Sequence, residues 1–311
     1  MIYLSYEWRR NDRRFRFGDF FGGESKQPIP DTGRSESENL APSDDDATDE
    51  YLVPPDMSLL SWVETEMSTP ESGEMENGAG FAYITKIGRG RKEQQDALVI
   101  HQEGPNGATR NIVAVIDGMG GHVGGKQAAQ TFARSLLESY QSGVSDPYDR
   151  FTQGEEALRR ENSVPEKAGL VYVELDIDQN KPDIKITVRG DAQVQHFDNQ
   201  GNALSATNLQ ENLQGQVTRP VLKGNSPLFQ QSQDITAFPR VSGHVYIAAS
   251  DGIWDMVDPA FVSEAVLLSQ RFDSPKKKAQ YIVDLLSQKA LENMQSGRGK
   301  DNITLYVHVE P

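Results

Sequence analysis

Four aspartates, Asp96, Asp117, Asp251 and Asp301, each stand at an end of an apolar, strand-like run. The runs are Gln94-Gln95-Asp96-Ala97-Leu98-Val99, Ile112-Val113-Ala114-Val115-Ile116-Asp117-Gly118-Met119-Gly120-Gly121-His122, Val245-Tyr246-Ile247-Ala248-Ala249-Ser250-Asp251-Gly252 and Lys300-Asp301-Asn302-Ile303-Thr304-Leu305-Tyr306-Val307. A carboxylate at the mouth of a buried strand is costly to desolvate unless a positive charge compensates it. Several brought together repel one another, and hard divalent cations bound through oxygen are the usual remedy. In the segment from Asp117 to His122, the glycines after the carboxylate allow backbone carbonyls to approach a cation closely. A Gly-rich turn between strand and helix is also the form of a phosphate-cradling loop. Against that reading, the Gly-Lys-Ser/Thr of a P-loop is missing, and an Asp stands where a dinucleotide fold places its first Gly.

Positioning such residues requires a sheet scaffold. Short β-branched runs bounded by Gly, Asn and Asp predict strands over 81–86, 97–101, 111–116, 170–177, 184–188, 193–197, 244–249 and 302–309. Helical spacing predicts helices over 125–140, around 155–161, and over 259–268 and 275–294. Strands clustered with few intervening helices favour an α+β layered sandwich over βαβ winding.

The 311 residues suffice for one large domain or two modest ones, and 36% hydrophobic content can fill a core. The absence of cysteine excludes disulfides, thiolate metal sites and a cysteine nucleophile, and with it the thiol-based phosphatases. No apolar stretch is long enough to span a bilayer. The N-terminus alternates aromatics with arginines and lacks the apolar core of a signal peptide, so a soluble, cytoplasmic protein with no membrane partner is expected.

The net charge of −15 is uneven: residues 1–80 carry 18 Asp/Glu against 7 Lys/Arg, and the remainder 28 against 24. Double-helical nucleic acid is not expected as a partner. Residues from about 24 to 80 are poor in aliphatics and rich in Ser, Asp, Glu, Pro and Gly, the composition of a disordered segment. A basic, aromatic stretch from Tyr6 to Phe17 precedes them, and Leu59, Leu60, Trp62 and Val63 suggest a short helical patch. The expected organisation is therefore an acidic leader over 1–80 and a folded domain over 81–311.

Taken in order, the motifs resemble those of the metal-dependent type 2C (PPM) family of serine/threonine protein phosphatases, in the bacterial style. Gly90-Arg91-Lys92-Glu93-Gln94-Gln95-Asp96-Ala97 is similar to the family's Arg-x-x-Asn-Gln/Glu-Asp-Ala, and the segment from Asp117 to His122 to its Asp-Gly-Met-Gly-Gly-His. Arg189-Gly190-Asp191 resembles its Gly-Asp-Ser-Arg strand end. Val217-Thr218-Arg219 with Gly224 resembles Thr-Arg-x-x-Gly. Ser250-Asp251-Gly252-Ile253-Trp254-Asp255 resembles Ser-Asp-Gly-Leu-Trp-Asp, and Asp301-Asn302-Ile303-Thr304 the terminal Asp-Asn-Ile-Thr.

The resemblance implies a four-layer α/β/β/α sandwich of two antiparallel sheets flanked by helices. It implies hydrolysis of phosphoserine and phosphothreonine in proteins by a water bridging two Mg²⁺ or Mn²⁺ ions. Asp117 would bridge the ions, with the Gly118 carbonyl on one and Asp251 and Asp301 on the other. Asp96 would hold metal-bound waters, and Asp191 a looser third ion together with Asp251. Arg91 would grip phosphate oxygens bidentately, and His122 would protonate the leaving oxygen as general acid. The implied partners are phosphoprotein substrates and a cognate Ser/Thr kinase, with the enzyme a monomer.

Some residues depart from the pattern. Ala192 and Gln193 replace the serine and arginine after Gly-Asp, Ala168-Gly169-Leu170 stands for Gly-Thr-Thr, and an Asp-His-Ser segment is missing. The stretch 201–217 is short and amide-rich where relatives carry a flap-like insertion, which predicts an open rim and weak selectivity from that loop. The altered periphery leaves room for another class of function, a non-catalytic phosphatase-like module that binds a kinase or scaffold. A regulatory phosphatase of the anti-anti-sigma type is a third reading, disfavoured because such relatives tend to lack equivalents of Arg91 and His122. Asp255 and Asp258 read as turn or cap residues, His101, His196, His244 and His308 as structural, and Trp254 as packing.

Overall fold

The structure is a computed structural model and describes residues 59–104, 109–119, 124–212, 216–297 and 299–311. Two antiparallel sheets pack face to face. The first has the order β1-β4-β5-β6-β7-β11, with β10 pairing on β6, and the second β2-β3-β13-β12-β8-β9. In the first, β1 is Leu59–Glu64, β4 Asp96–Glu103, β5 Arg110–Gly118, β6 Gly169–Asp178, β7 Asp183–Arg189, β10 Val221–Leu222 and β11 Ile235–Pro239. In the second, β2 is Glu71–Glu74, β3 Gly80–Lys86, β8 Gln193–Phe197, β9 Ala203–Ala206, β12 Val245–Ala249 and β13 Ile303–Val309.

The central strands are apolar on both faces, and strand alternation sorts their side chains into two cores. From β4 and β5, Leu98, Ile100, Val113 and Val115 face the second sheet, in the core that also holds Ile247, Leu305 and the residues under the last two helices. Their neighbours Ala97, Val99, Ile112, Ala114 and Ile116 face the other way, against Phe132, Leu136 and Phe151. Those three come from α1 (Gly125–Gln141) and α2 (Pro147–Arg160), which cover the first sheet. The second sheet is covered by α5 (Pro259–Ser269) and α6 (Pro275–Gln295). Each fully buried Phe or Leu contributes about 1.5–3 kcal/mol of transfer free energy. The result is the four-layer sandwich expected.

Local chemistry starts the helices where they start. At α2 the Asp146 carboxylate accepts the backbone N–H of Tyr148 at 2.8 Å with Pro147 in the first turn, and at α6 Ser274 and Pro275 act alike. Two short helices, α3 (Gln231–Asp234) and α4 (Asp251–Trp254), lie in the connections.

The expected start of the folded domain at residue 81 is corrected. Leu59–Glu64 is not helical but a strand paired along β4, from Leu59 opposite Glu103 to Glu64 opposite Leu98. Glu71–Glu74 pairs with β3, and Met67 and Met75 are buried in the core. A hydrophobic run this short cannot tell strand from helix by its period, and its strand character comes from the edge that β4 offers. Residues 1–58 lie outside the described residues.

Candidate metal and phosphate site

Antiparallel pairing brings strand ends from both sheets to one end of the sandwich. Asp96 opens β4 and Asp117 nearly closes β5, and the two are direct cross-strand partners. In the second sheet, Ala249 at the end of β12 pairs with Leu305 near the start of β13. That register sets Asp251, the first residue of α4, beside Asp301, which precedes β13. Asp191 lies in the link from β7 to β8, where the chain passes from one sheet to the other. Close backbone approach is obligatory here. A Cβ on Gly252 would lie 1.7 Å from the Asn302 carbonyl oxygen, and one on Gly118 would lie 2.4 Å from the Gly125 carbonyl oxygen.

Asp96 is held from behind. The Ser250 hydroxyl donates to its Oδ2 at 3.0 Å and the Thr304 hydroxyl at 2.8 Å. Gln94 Nε2 donates to Thr85 Oγ1 at 2.9 Å, and Thr85 lies 2.8 Å from Thr304 Oγ1. With the Thr304 proton committed to Asp96, Thr85 must be the donor to Thr304, so a fixed hydrogen-bond chain orients the carboxylate.

Burial dominates the electrostatics, followed by mutual repulsion. Burial pushes the Asp96 carboxyl up to about 7 despite its hydroxyl donors, with Asp301 adding to the shift. Asp117 is pushed well above the ordinary carboxylate range by burial and then by Asp96, Asp251, Asp301 and Asp191. Asp251 follows for the same reasons, and Asp191 rises to about 6, chiefly through burial.

Arg91 is the cation turned into this cluster. Its Nη2 donates to Asp301 Oδ2 at 2.6 Å. Burial opposes its charge, but Asp301, with Asp117 and Asp251 behind it, more than offsets that and raises the guanidinium pKa. Asp301 Oδ1 accepts the Asn302 backbone N–H at 2.8 Å.

As the side chains lie, no three acids or histidines among the described residues stand at the spacing of a shared metal ion. Two of the acids are engaged elsewhere, Asp96 with hydroxyls and Asp301 with Arg91. The donor set nevertheless fits a hard divalent cation. Asp251 Oδ1 is buried without a hydrogen-bond partner, a costly state for a carboxylate oxygen. The surrounding ligating atoms are all oxygens, the preference of Mg²⁺ and Mn²⁺.

The structure thus gathers Arg91, Asp96, Asp117, Gly118, Asp191, Asp251 and Asp301 at one end. His122 lies outside the described residues. Asp255 takes the turn position expected of it, as the cap residue that ends α4, and its carboxyl is raised by desolvation and then by Asp301. Glu211, missed altogether, stands at the exposed rim, and partial desolvation and then Asp191 and Asp255 raise its carboxyl to about 7. Its neighbour Gln210 clamps the Gly190 peptide from both sides. Gly190 N–H donates to Gln210 Oε1 at 2.9 Å, and Gln210 N–H donates to the Gly190 carbonyl at 3.0 Å. Nothing in the local sequence around Glu211 signals this. Arg189, part of the Arg-Gly-Asp strand end, turns away into a buried pair with Asp234. His196 and His244 contact each other at the opposite strand ends, and Trp254 donates its indole N–H to the Ala249 carbonyl at 3.0 Å.

No protein-family model and no curated protein matches the chain, but solved structures do. The catalytic domain of the serine/threonine phosphatase PstP with two manganese ions is 19% identical, covering 75% of this chain and 99% of that one at a TM-score of 0.56. The phosphatase MsPP of Mycobacterium smegmatis in complex with cacodylate is 16% identical, with coverages of 76% and 99% and a TM-score of 0.54. RsbX in complex with magnesium is 14% identical, with coverages of 78% and 99% and a TM-score of 0.53. At these identities the likeness establishes the fold.

Proposed function

We propose that this chain is a Mg²⁺- or Mn²⁺-dependent phosphatase acting on phosphoserine and phosphothreonine in proteins. The observation that carries the reading is the convergence of Asp96, Asp117, Asp251 and Asp301 with Arg91, from both sheets, at one end of the sandwich. The manganese and magnesium ions in PstP and RsbX support the choice of metal, and the phosphatase descriptions of PstP and MsPP support the reaction.

Asp117, the Gly118 carbonyl, Asp251 and Asp301 would hold two ions, with Asp191 serving a weaker third. When bound, such a pair lowers the pKa of a water and stabilises the attacking and leaving oxygens of an in-line displacement. Asp96, oriented by Ser250 and Thr304, would hold water beside them. The Arg91 guanidinium would clamp two phosphate oxygens of the substrate, and His122 would deliver a proton to the departing serine or threonine oxygen. Phosphoprotein substrates, a cognate kinase and a cytoplasmic, monomeric enzyme complete the reading. Among the described residues, no helix is long and apolar enough to cross a membrane.

The altered periphery, where Ala192 and Gln193 follow Asp191, supports a second reading, a non-catalytic module that binds a kinase or scaffold. One assay separates the two: p-nitrophenyl phosphate and a phosphopeptide panel, with and without Mn²⁺. Turnover is expected only with metal. Asp117→Ala and Asp251→Ala should each lose about a thousandfold or more in kcat, since stabilising transition-state charge through a metal is worth several kcal/mol. Full turnover in excess chelator would refute the enzyme as described.

A further inference from the structure

Resting on the proposed function, one contact has a consequence for metal binding itself. Both oxygens of Asp301 already have donors, Oδ1 from the Asn302 backbone and Oδ2 from Arg91 at 2.6 Å. Asp251 Oδ1 is buried with no donor. Arg91 Nε is likewise buried without a hydrogen-bond partner. The guanidinium is therefore only partly satisfied by Asp301, although a planar fork is suited to two-point binding. The pair is about one-quarter exposed on each side, at 26% and 28%, sheltered enough to matter energetically and open enough to exchange.

We propose that Arg91 gates the site by competing with the divalent cation for Asp301. The guanidinium holds a positive charge 2.6 Å from Asp301 Oδ2, and an ion binding through that oxygen would meet it at close range, so cation and guanidinium compete for the carboxylate by repulsion and crowding. Once displaced, the Arg91 donors now held by Asp301 become available to a phosphate anion. Cation and phosphate then assist each other through Arg91, and by linkage the assistance is reciprocal. The residue read as the phosphate clamp thus also sets metal affinity.

The test is direct Mn²⁺ binding by isothermal titration calorimetry on the full chain, without substrate. Arg91→Ala and Arg91→Gln should bind Mn²⁺ about tenfold more tightly than the parent, the scale of one released charge-assisted hydrogen bond. Lys92→Ala removes the same charge one residue away from an exposed side chain and should change affinity less than about twofold. Inorganic phosphate should tighten Mn²⁺ binding in the parent and do so less in Arg91→Ala. Unchanged or weaker Mn²⁺ binding in both Arg91 variants would overturn the gate, as would an equal gain in Lys92→Ala, which would mark a general field effect. If the parent protein binds no Mn²⁺, the metal-dependent reading falls and the gate with it. If the parent binds Mn²⁺ but the Arg91 variants match it, only the gate falls.

Discussion

Two sets of buried carboxylates in this molecule meet opposite fates. Away from the acidic end, each is matched with a cation. Asp234 accepts from Arg189 at 3.1 Å and Arg219 at 2.7 Å, and donors from Arg219, Gln230 and Arg189 overcome its burial and lower its pKa. Glu310 pairs with Arg240 at 2.7 Å and His308 at 2.9 Å, and these partners draw it down to about 2 in spite of burial. At the acidic end the balance is reversed: Asp96, Asp117 and Asp251 are raised, and each is pressed further by its acidic neighbours. Among the described residues the other buried acids are paired and these are left together, the arrangement that the proposed metal ions would compensate. The same feature marks functional sites in general.

The matched set should be the more fragile to single removal. Asp234→Ala would strand the fully buried Arg189 and the largely buried Arg219 without their carboxylate. We expect a loss of about 3–5 kcal/mol in urea unfolding. A loss below about 1 kcal/mol would show that the pair is not the anchor it looks to be.

The two sets should also respond to pH with opposite signs. Folded Asp96 holds its proton up to about pH 7 against an ordinary value of 3.8. In chelator, its contribution is therefore most favourable in acid and is lost as pH rises from about 4 to 7, by a few kcal/mol at most. Glu310, at about 2 against 4.5, contributes stability above pH 4.5 that is lost as pH falls toward 2. Melting curves in EDTA between pH 2 and 8 should fall off on both sides, and Mn²⁺ should remove the loss on the neutral side only. A neutral-side decline that Mn²⁺ leaves intact would break the comparison.

The smallest expected effect is a gain. Asp251→Asn keeps the side-chain shape but removes one charge from the repelling group. In EDTA it should stabilise the fold by about 1–2 kcal/mol while abolishing activity, the trade expected where a site stores unfavourable charge. Destabilisation in EDTA would argue that Asp251 is already compensated.

Much of this was legible along the chain because it is written in local periods. The eight strands expected from β-branched runs all form, within a few residues, and α1, α5 and α6 match their helical spacing. The helix expected around 155–161 extends back to Pro147, where the Asp146 cap and the proline provide the start. The helical patch expected over 59–63 forms a strand because its partner, β4, lies more than thirty residues away along the chain. The principal acids were recognisable from their positions at strand ends. Asp255 and Glu211 were not, because Asp after Trp or Glu after Gln has no local mark of the company it keeps.

Sequence alone determined the alternation that buries both faces of the central strands, the capped helix starts and which carboxylates fall at strand mouths, since each depends on neighbours within a few residues. The tertiary structure decided which of those carboxylates meet, that Arg91 faces Asp301, that Arg189 turns instead to Asp234, and that Gln210 holds the Asp191 turn. Charge and hydrogen bonding act over a few ångströms in space. Residues such as Arg91 and Asp301, 210 positions apart, become neighbours only through the register of two sheets.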